Sequence, residues 1–447
     1  MNASRCGDTR PTGAGCPWRV AILPWGNLIE DFLDPLGVSL DDFARNMSGG
    51  WLFGYAAALR TAGMEPVILC VSGRVHRAER LVNPQTGLVT LALPPSALYR
   101  RLRRFPGDPD AGATPRGRIG RRLQAAVPYL ATPLAALRAV LRSEGITHLL
   151  CQEYEYERFD VMARVARRAG VPVFATFQGG VPRGGWLASR VRAQSLALAD
   201  GLIVASGPEA ARLASSGMLD SARIARIPNP IDTAEWHAQP RAAARAALGL
   251  PEGALVAVCH GRIDYSRKGL DLLVAAWRGL TGRHPGRDLR LHLIGGGRDE
   301  DRLQSEIDRA PVPGLRWLRR YSQDRDEMRR ELSAADLYVM ASRHEGFPVA
   351  PLEAMACGLP VILSDAPGAR EILGLQPGTD PGPAAPGLLV PVGDAAALEQ
   401  ALDTLVATPD RLPLIGAAAR LRVETAFSVD SVGAALARLL RGGAGTA

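Results

Sequence analysis

Short apolar runs alternate along this chain with longer stretches in which apolar residues recur three and four positions apart. The first kind reads as buried strand, the second as amphipathic helix. In the first half strands are expected at 20–25, 66–72, 148–154, 172–178 and 201–206, with helices at 51–62, 159–169, 187–198 and 209–216. The second half repeats the scheme. Strands are expected at 255–261, 290–294, 316–319, 337–341, 360–364 and 388–392, and helices at 270–280, 300–310, 325–335, 349–357 and 395–406, with two more to the end. Such alternation builds parallel sheets with crossover helices. The chain has 447 residues, more than the ~250–300 that one core supports. An α/β protein with two doubly wound, Rossmann-like domains is therefore expected, at 18–235 and 252–425. The join falls in 232–251, which is rich in Ala, Arg, Pro and Gly and has no strand pattern. The segment 426–447 is placed as a helix packing back on the first domain. Ligands of open α/β sheets bind beyond the carboxyl ends of the strands, so two facing domains would form a cleft walled by loops.

Charge is local in this sequence. The net charge is +8, and residues 96–142 hold ten arginines, among them Arg100, Arg101, Arg103 and Arg104, against Asp108 and Asp110. That segment accounts for the whole excess. A solvated arginine-rich face is the plainer reading; docking on anionic lipid headgroups, helped by Leu98, Tyr99, Leu102 and Phe105, is the second. A basic mantle for nucleic acid would be spread more widely, so no nucleic-acid partner is expected. Cys6, Cys16, Cys70, Cys151, Cys259 and Cys357 include no CxxC pair, which reads as reduced thiols and not a disulfide frame or zinc site. The start of the chain has no apolar core of a secretory signal. The longest mostly uncharged run, 125–137, holds two prolines and falls short of the ~20 residues that span a membrane. A cytoplasmic protein is expected, peripheral at the inner membrane face if the basic segment docks there.

Lys268 is the only lysine among 53 basic residues. It ends the turn Gly261-Arg262-Ile263-Asp264-Tyr265-Ser266-Arg267-Lys268-Gly269, between an expected strand and an expected helix. Two cations converging on such a turn suit a diphosphate: arginine as a planar fork, lysine as a compact charge. The alternative is a charged surface loop, and a chain that elsewhere chose arginine makes that alternative weaker. The second element runs from Ser342 through Glu345-Gly346-Phe347-Pro348-Val349 to Glu353-Ala354-Met355-Ala356-Cys357-Gly358-Leu359-Pro360. Free amides at a helix start bind phosphate, while Glu345 and Glu353 suit sugar or ribose hydroxyls. Asp-x-Asp triplets occur at Asp108, Asp299 and Asp324, the latter two at expected helix starts where the dipole favours acids. No metal site is expected there, and the histidines show no zinc spacing.

Together these residues resemble the retaining family 4 of glycosyltransferases, glycosyl transferases group 1, which have the GT-B fold. The resemblance rests on Gly261-Arg262, Lys268-Gly269, Glu345, Glu353-Ala354, Ala356, Gly358 and Pro360-Val361. Asn229-Pro230-Ile231-Asp232, Gly295-Gly296-Gly297 and Gly49-Gly50 add to it. It is close from 229 to 392 and loose before.

The resemblance implies a nucleotide-sugar donor on the second domain and a hydroxyl acceptor on the first. Arg262 and Lys268 would neutralise the diphosphate, Glu353 hold the ribose, and Glu345 the donor sugar. Gly261, Gly295, Gly296 and the 347–350 backbone (Phe347, Pro348, Val349) would complete the donor site. Gly49, Gly50 and Gln178 would serve the acceptor side or the donor phosphates. The reaction would retain anomeric configuration, with no metal and no cofactor. One departure stands out: Gln178 occupies a position where many members carry histidine, and glutamine cannot act as a general base. The acidic stretch 26–48 reads either as an acceptor-side insertion or as a mobile loop. Other readings are weaker. A phosphorylase needs a lysine for pyridoxal phosphate, and the one lysine is already assigned. A dinucleotide oxidoreductase needs GxGxxG after the first strand. A non-catalytic sugar-nucleotide sensor or membrane adaptor with the same fold stays open because of Gln178.

Overall fold

The structure, a computed structural model, describes residues 18–102, 129–180, 186–217 and 220–442, apart from Ser48, Tyr321, Gln323 and Pro383. The core of the basic segment, 103–128, together with Cys6, Cys16 and the Asp108–Asp110 triplet, lies outside the described residues.

The first sheet contains β1 (Arg19–Leu23), β2 (Glu65–Val71), β3 (Glu79–Val82), β4 (Val89–Leu93), β5 (His148–Gln152), β6 (Val173–Thr176), β7 (Gly201–Val204) and β8 (Ile224–Arg226). Their order is β3-β4-β2-β1-β5-β6-β7-β8, parallel except for the β3–β4 hairpin. The second sheet holds β9 (Leu255–His260), β10 (Leu289–Ile294), β11 (Leu315–Leu318), β12 (Leu337–Met340), β13 (Val361–Ser364) and β14 (Gly387–Val390). It is all parallel, in the order β11-β10-β9-β12-β13-β14. Both switch direction beside their central strands, β1 and β9, which places ligand crevices at those strand ends.

Strands buried on both faces read as continuous apolar runs, and β1 shows why. Ala21 and Leu23 join the core beneath Leu137, Met162 and Val165. Val20 and Ile22 join the opposite core, with Leu52, Tyr55 and Leu59 of the helix Trp51–Thr61. The last helix, Val429–Leu440, lies on that same helix: Gly433 sits on the Ala58 carbonyl, where a Cβ would collide. Its Leu436 and Leu440 enter the first domain's core, each burial contributing roughly 1.5–3 kcal/mol. The chain therefore passes between domains twice. The two passes run side by side, Ile231 N donating to Phe427 O at 2.8 Å and Val429 N to Ile231 O at 3.1 Å.

Several elements differ from the sequence pattern. β3, β4 and β8 were not expected; β3 is polar and β8 half-exposed, so neither carries an apolar run. The join region contains a helix, Arg241–Leu248, whose buried Arg245 pairs with Asp336 at 2.7 Å. The acidic stretch 26–48 is folded into a π-helix (Ile29–Leu33), a 3-10 turn (Asp34–Leu36) and a capped α-helix (Leu40–Arg45). Its acids have local work: Asp42 closes a capping box with Ser39, Asp41 pairs with Arg45, and Glu30 accepts from Ser72 and Gly73.

Candidate active site

The turn after β9 is built on glycine backbone. Gly261 (φ +138°), Gly295 (φ +151°) and Gly269 (φ +62°) all adopt left-handed conformations that side chains rarely take. A Cβ on Gly295 would strike the Gly261 carbonyl, and one on Gly269 the Ala341 carbonyl. The ends of β9, β10 and β12 therefore crowd together without side chains between them. Gly296 O accepts from Ile263 N at 2.9 Å, which fixes the glycine turn against the cationic one.

Lys268 donates from Nζ to Glu345 Oε1 at 2.7 Å. Burial raises the Glu345 carboxyl, but the Lys268 charge and hydrogen bond outweigh it and hold the group below its usual range. The loops bearing the pair are stitched together: Arg343 grips Asp271 with two bonds at 2.7 and 2.6 Å, and its N donates to Arg267 O at 2.8 Å. Arg262 is different. Its guanidinium lies 5.0 Å over the Phe32 ring of the opposite domain, half-buried, with no carboxylate partner among the described residues. Burial lowers its pKa, and neighbouring Arg267 pushes the same way. The charges of Asp264 and Glu345 act in the opposite sense, and among the described residues neither forms an ion pair with the guanidinium.

Glu353 lies in the first turn of the helix Ala350–Ala356, and its Oε2 meets His260 Nε2 at 2.7 Å. His260 Nδ1 is buried and has no hydrogen-bond partner among the described residues. Glu353, His260, Gly261 and Gly295 form one wall of a cleft of ≈ 670 Å³ open to solvent, and Gly49 and Gly50 face them from the first domain. A second, narrower hollow shares His260 and Gly261 and adds Arg262 and Lys268. Gly49 approaches Arg325 so closely that a Cβ would come within 3.1 Å of its guanidinium.

Most of the expected site residues thus converge. The Phe347 ring and Pro348 are buried, the ring 5.8 Å from Phe427; Val349 lines a neighbouring hollow beside Glu353. The Gln178 amide is engaged rather than free. It exchanges bonds of 3.1 and 3.0 Å with Asn229, whose Nδ2 also donates to Phe347 O at 2.8 Å. The sequence reading missed His260, Phe32 and Glu153. His260 directly precedes Gly261-Arg262, so its strand-end position was a usable signal. Phe32 gave none, because its relation to Arg262 is across domains. Among the described residues no group of three His, Cys, Asp or Glu side chains converges as a metal site. Asp324 instead caps its helix through Glu327 N, and Asp299 accepts from Tyr265 N.

Two family models match this chain: "Glycosyltransferase Family 4" over residues 52–235 and "Glycosyl transferases group 1" over 254–408. A D-inositol 3-phosphate glycosyltransferase of Nocardia farcinica is 33% identical over 227 residues, 50% of this chain and 48% of that one. A GDP-mannose-dependent alpha-mannosyltransferase of Mycobacterium tuberculosis is 28% identical over 342 residues, 72% and 70% of the two chains. The matches with the D-inositol 3-phosphate glycosyltransferases thus span about half the relatives' length. Sucrose-phosphate synthase from Thermosynechococcus elongatus superimposes with a TM-score of 0.67 at 20% identity, covering 95% of this chain and 98% of that one. Anabaena HepE in complex with UDP-glucose gives 0.66 at 16%, covering 95% and 99%. At those identities the structural likeness speaks for the fold, which is GT-B.

Proposed function

The chain belongs to the family 4, group 1 glycosyltransferases, and from that membership we propose that it moves a sugar from a nucleotide-diphosphate donor to a hydroxyl acceptor. The observation that carries the reading is Arg262, a half-buried cation with no carboxylate among the described residues, beside Lys268 at the end of β9. As the bond between the anomeric carbon and the diphosphate breaks, negative charge grows on the leaving oxygen. Fixed donors aimed at charge that develops only in the transition state accelerate that step. The same two cations supply the counter-charge that a metal ion would otherwise bring, which supports a metal-independent reaction.

Glu353, held by His260 through one oxygen, keeps the other for a ribose hydroxyl. Glu345, ionised by Lys268, offers a hydrogen-bond acceptor to the donor sugar. On the first domain, Trp25 stacks on Trp51 at 5.0 Å, with Phe32 and Tyr156 around them. These half-buried rings, of which Phe32 meets Arg262, form the acceptor's wall. Retention of configuration follows the family resemblance, and NMR of the new anomeric centre checks it. The deciding experiment is a thermal-shift panel of UDP-, GDP- and ADP-sugars followed by donor turnover. A ligand of the native state raises its stability by mass action. Stabilisation together with release of the nucleoside diphosphate is expected. Stabilisation without turnover under any acceptor would turn the reading to a sensor, and no stabilisation at all would remove it.

A further inference from the structure

Glu153 follows β5 directly and is the only non-glycine residue with positive φ (81°) among the described residues. Such a backbone costs of order 1–3 kcal/mol and persists only where its surroundings enforce it, most often at functional sites. Here the enforcement is visible. The Glu153 and Tyr154 amides both donate to Thr176 O, at 3.1 and 3.0 Å. The resulting turn aims the Glu153 side chain inward, where it is 3% exposed.

The carboxylate has three main-chain partners. Glu155 N donates to Oε1 at 3.0 Å, while Gln178 N and Gly180 N donate to Oε2 at 2.9 and 2.6 Å. Gly180 has no room for a Cβ against that carboxylate. Between the two held residues lies Gly179 (φ +90°), where a Cβ would come within 2.7 Å of Gly346 N; a Cβ on Gly346 would run into the Gln178 backbone. Main chain therefore rests on main chain across the two domains, next to Glu345. The Gln178–Asn229 amide pair and the bond from Asn229 to Phe347 O flank the contact.

We propose that Glu153 is a positioning residue: its ionised carboxylate fixes the 178–180 loop, and through the Gly179–Gly346 contact that loop sets where the Glu345–Phe347 turn stands in the cleft. The inference rests on the transferase reading for its effect on turnover, but not for its effect on the loop. An ionised carboxylate accepts all three amides, whereas a protonated one turns an acceptor into a donor facing N–H groups. Burial pushes the Glu153 carboxyl up to about 7; the three amide bonds oppose this and the Glu155 charge adds to it. The other charged groups around it are one step removed. Arg192 and Arg212 bind Glu155 at 3.1 and 2.8 Å, and Arg212 also binds Glu209, which accepts from the buried Tyr154 hydroxyl. The loop is thus expected to loosen as pH falls through about 7.

The test is Glu153→Gln beside the wild type in the full chain, read by amide hydrogen exchange and by kinetics from pH 5.5 to 9. Exchange at Gln178 and Gly180 should be faster in the variant at pH 8. With the wild type it should rise above the intrinsic pH trend below about 7. Turnover should drop at least ~10-fold with donor KM within ~3-fold, since a small misplacement lowers rate more than binding. The acid limb of the wild-type profile should be missing in the variant. Unchanged exchange in Glu153→Gln would overturn the proposal, as would turnover within twofold of wild type. Should the variant not fold, the wild type's own exchange against pH decides the matter. A wild type with no transferase activity would defeat the functional reading, while exchange would still judge the loop.

Discussion

Lys268 and Glu345 meet at 2.7 Å, and the pair explains why one lysine stands in a chain of arginines: a compact charge fits beside a buried carboxylate where a planar fork would need more room. Lys268→Ala should leave Glu345 buried without its cation, at roughly 3 kcal/mol of stability, the low end for a buried pair because Lys268 is partly exposed, and Glu345→Gln in the same chain should recover part of it. Denaturant midpoints of the single and double variants check this. Turnover should not recover, and both Lys268→Ala and Arg262→Ala should lower kcat by ~10²–10³. The two buried carboxylates titrate in opposite senses. Glu345 lies below its usual value when folded, so it stabilises the fold above the ordinary carboxylate range and loses that contribution as pH falls through its folded value. Glu153 moves from 4.5 to about 7, so the folded state binds the extra proton and stability falls as pH rises across that interval, then stays level. At ~1.36 kcal/mol per pH unit this amounts to at most about 3 kcal/mol. Unfolding of Glu153→Gln against wild type at pH 5 and pH 8 should show the wild type's added decline.

At the scale of elements, glycine decides how strand ends meet. Gly269→Ala would put a Cβ onto the Ala341 carbonyl in a left-handed backbone, and should cost at least ~2 kcal/mol while displacing Lys268. Gly433→Ala acts elsewhere, prying the last helix from Trp51–Thr61 by overpacking, with ~1–3 kcal/mol lost. Melting temperature reads both, and only the first should also weaken nucleotide binding. The helices 270–280 and 325–335 and nearly every central strand were legible because each repeats a period set by its own residues. β3 was not, since an exposed edge strand needs no apolar face. The helix Arg241–Leu248 was hidden for a related reason: besides the small Ala244, what it buries is Arg245 with Asp336, an ion pair with no hydrophobic signature.

At the scale of the molecule, two sheets face each other across one cleft, tied by the double crossing at Ile231 and Phe427–Val429. In this arrangement Arg262 lies over Phe32 and Gly346 against Gly179. Phe32→Ala should therefore free the guanidinium for a diphosphate, tightening nucleoside-diphosphate binding in calorimetry while loosening the acceptor side. No helix among the described residues is long and apolar enough to cross a membrane. If the basic segment docks on lipid, replacing Arg100, Arg101, Arg103 and Arg104 by glutamine should abolish sedimentation with anionic liposomes at low salt.

The sequence by itself determined the alternation of strand and helix, the two-domain plan, the turn holding Arg262 and Lys268, and the turn holding Glu345 and Glu353. Each is written in residues close enough along the chain for spacing to express it. The tertiary structure alone decided that Glu345 and Lys268 pair, that His260 holds Glu353, that Gln178 is locked to Asn229, and that the strained Glu153 organises the loop beneath them. Those relations join residues 25 to 93 positions apart, and that of Glu153 runs through backbone amides that nearly every residue shares. No local pattern records a contact of that kind; only the folding of each sheet, which sets distant strand ends side by side, brings it about.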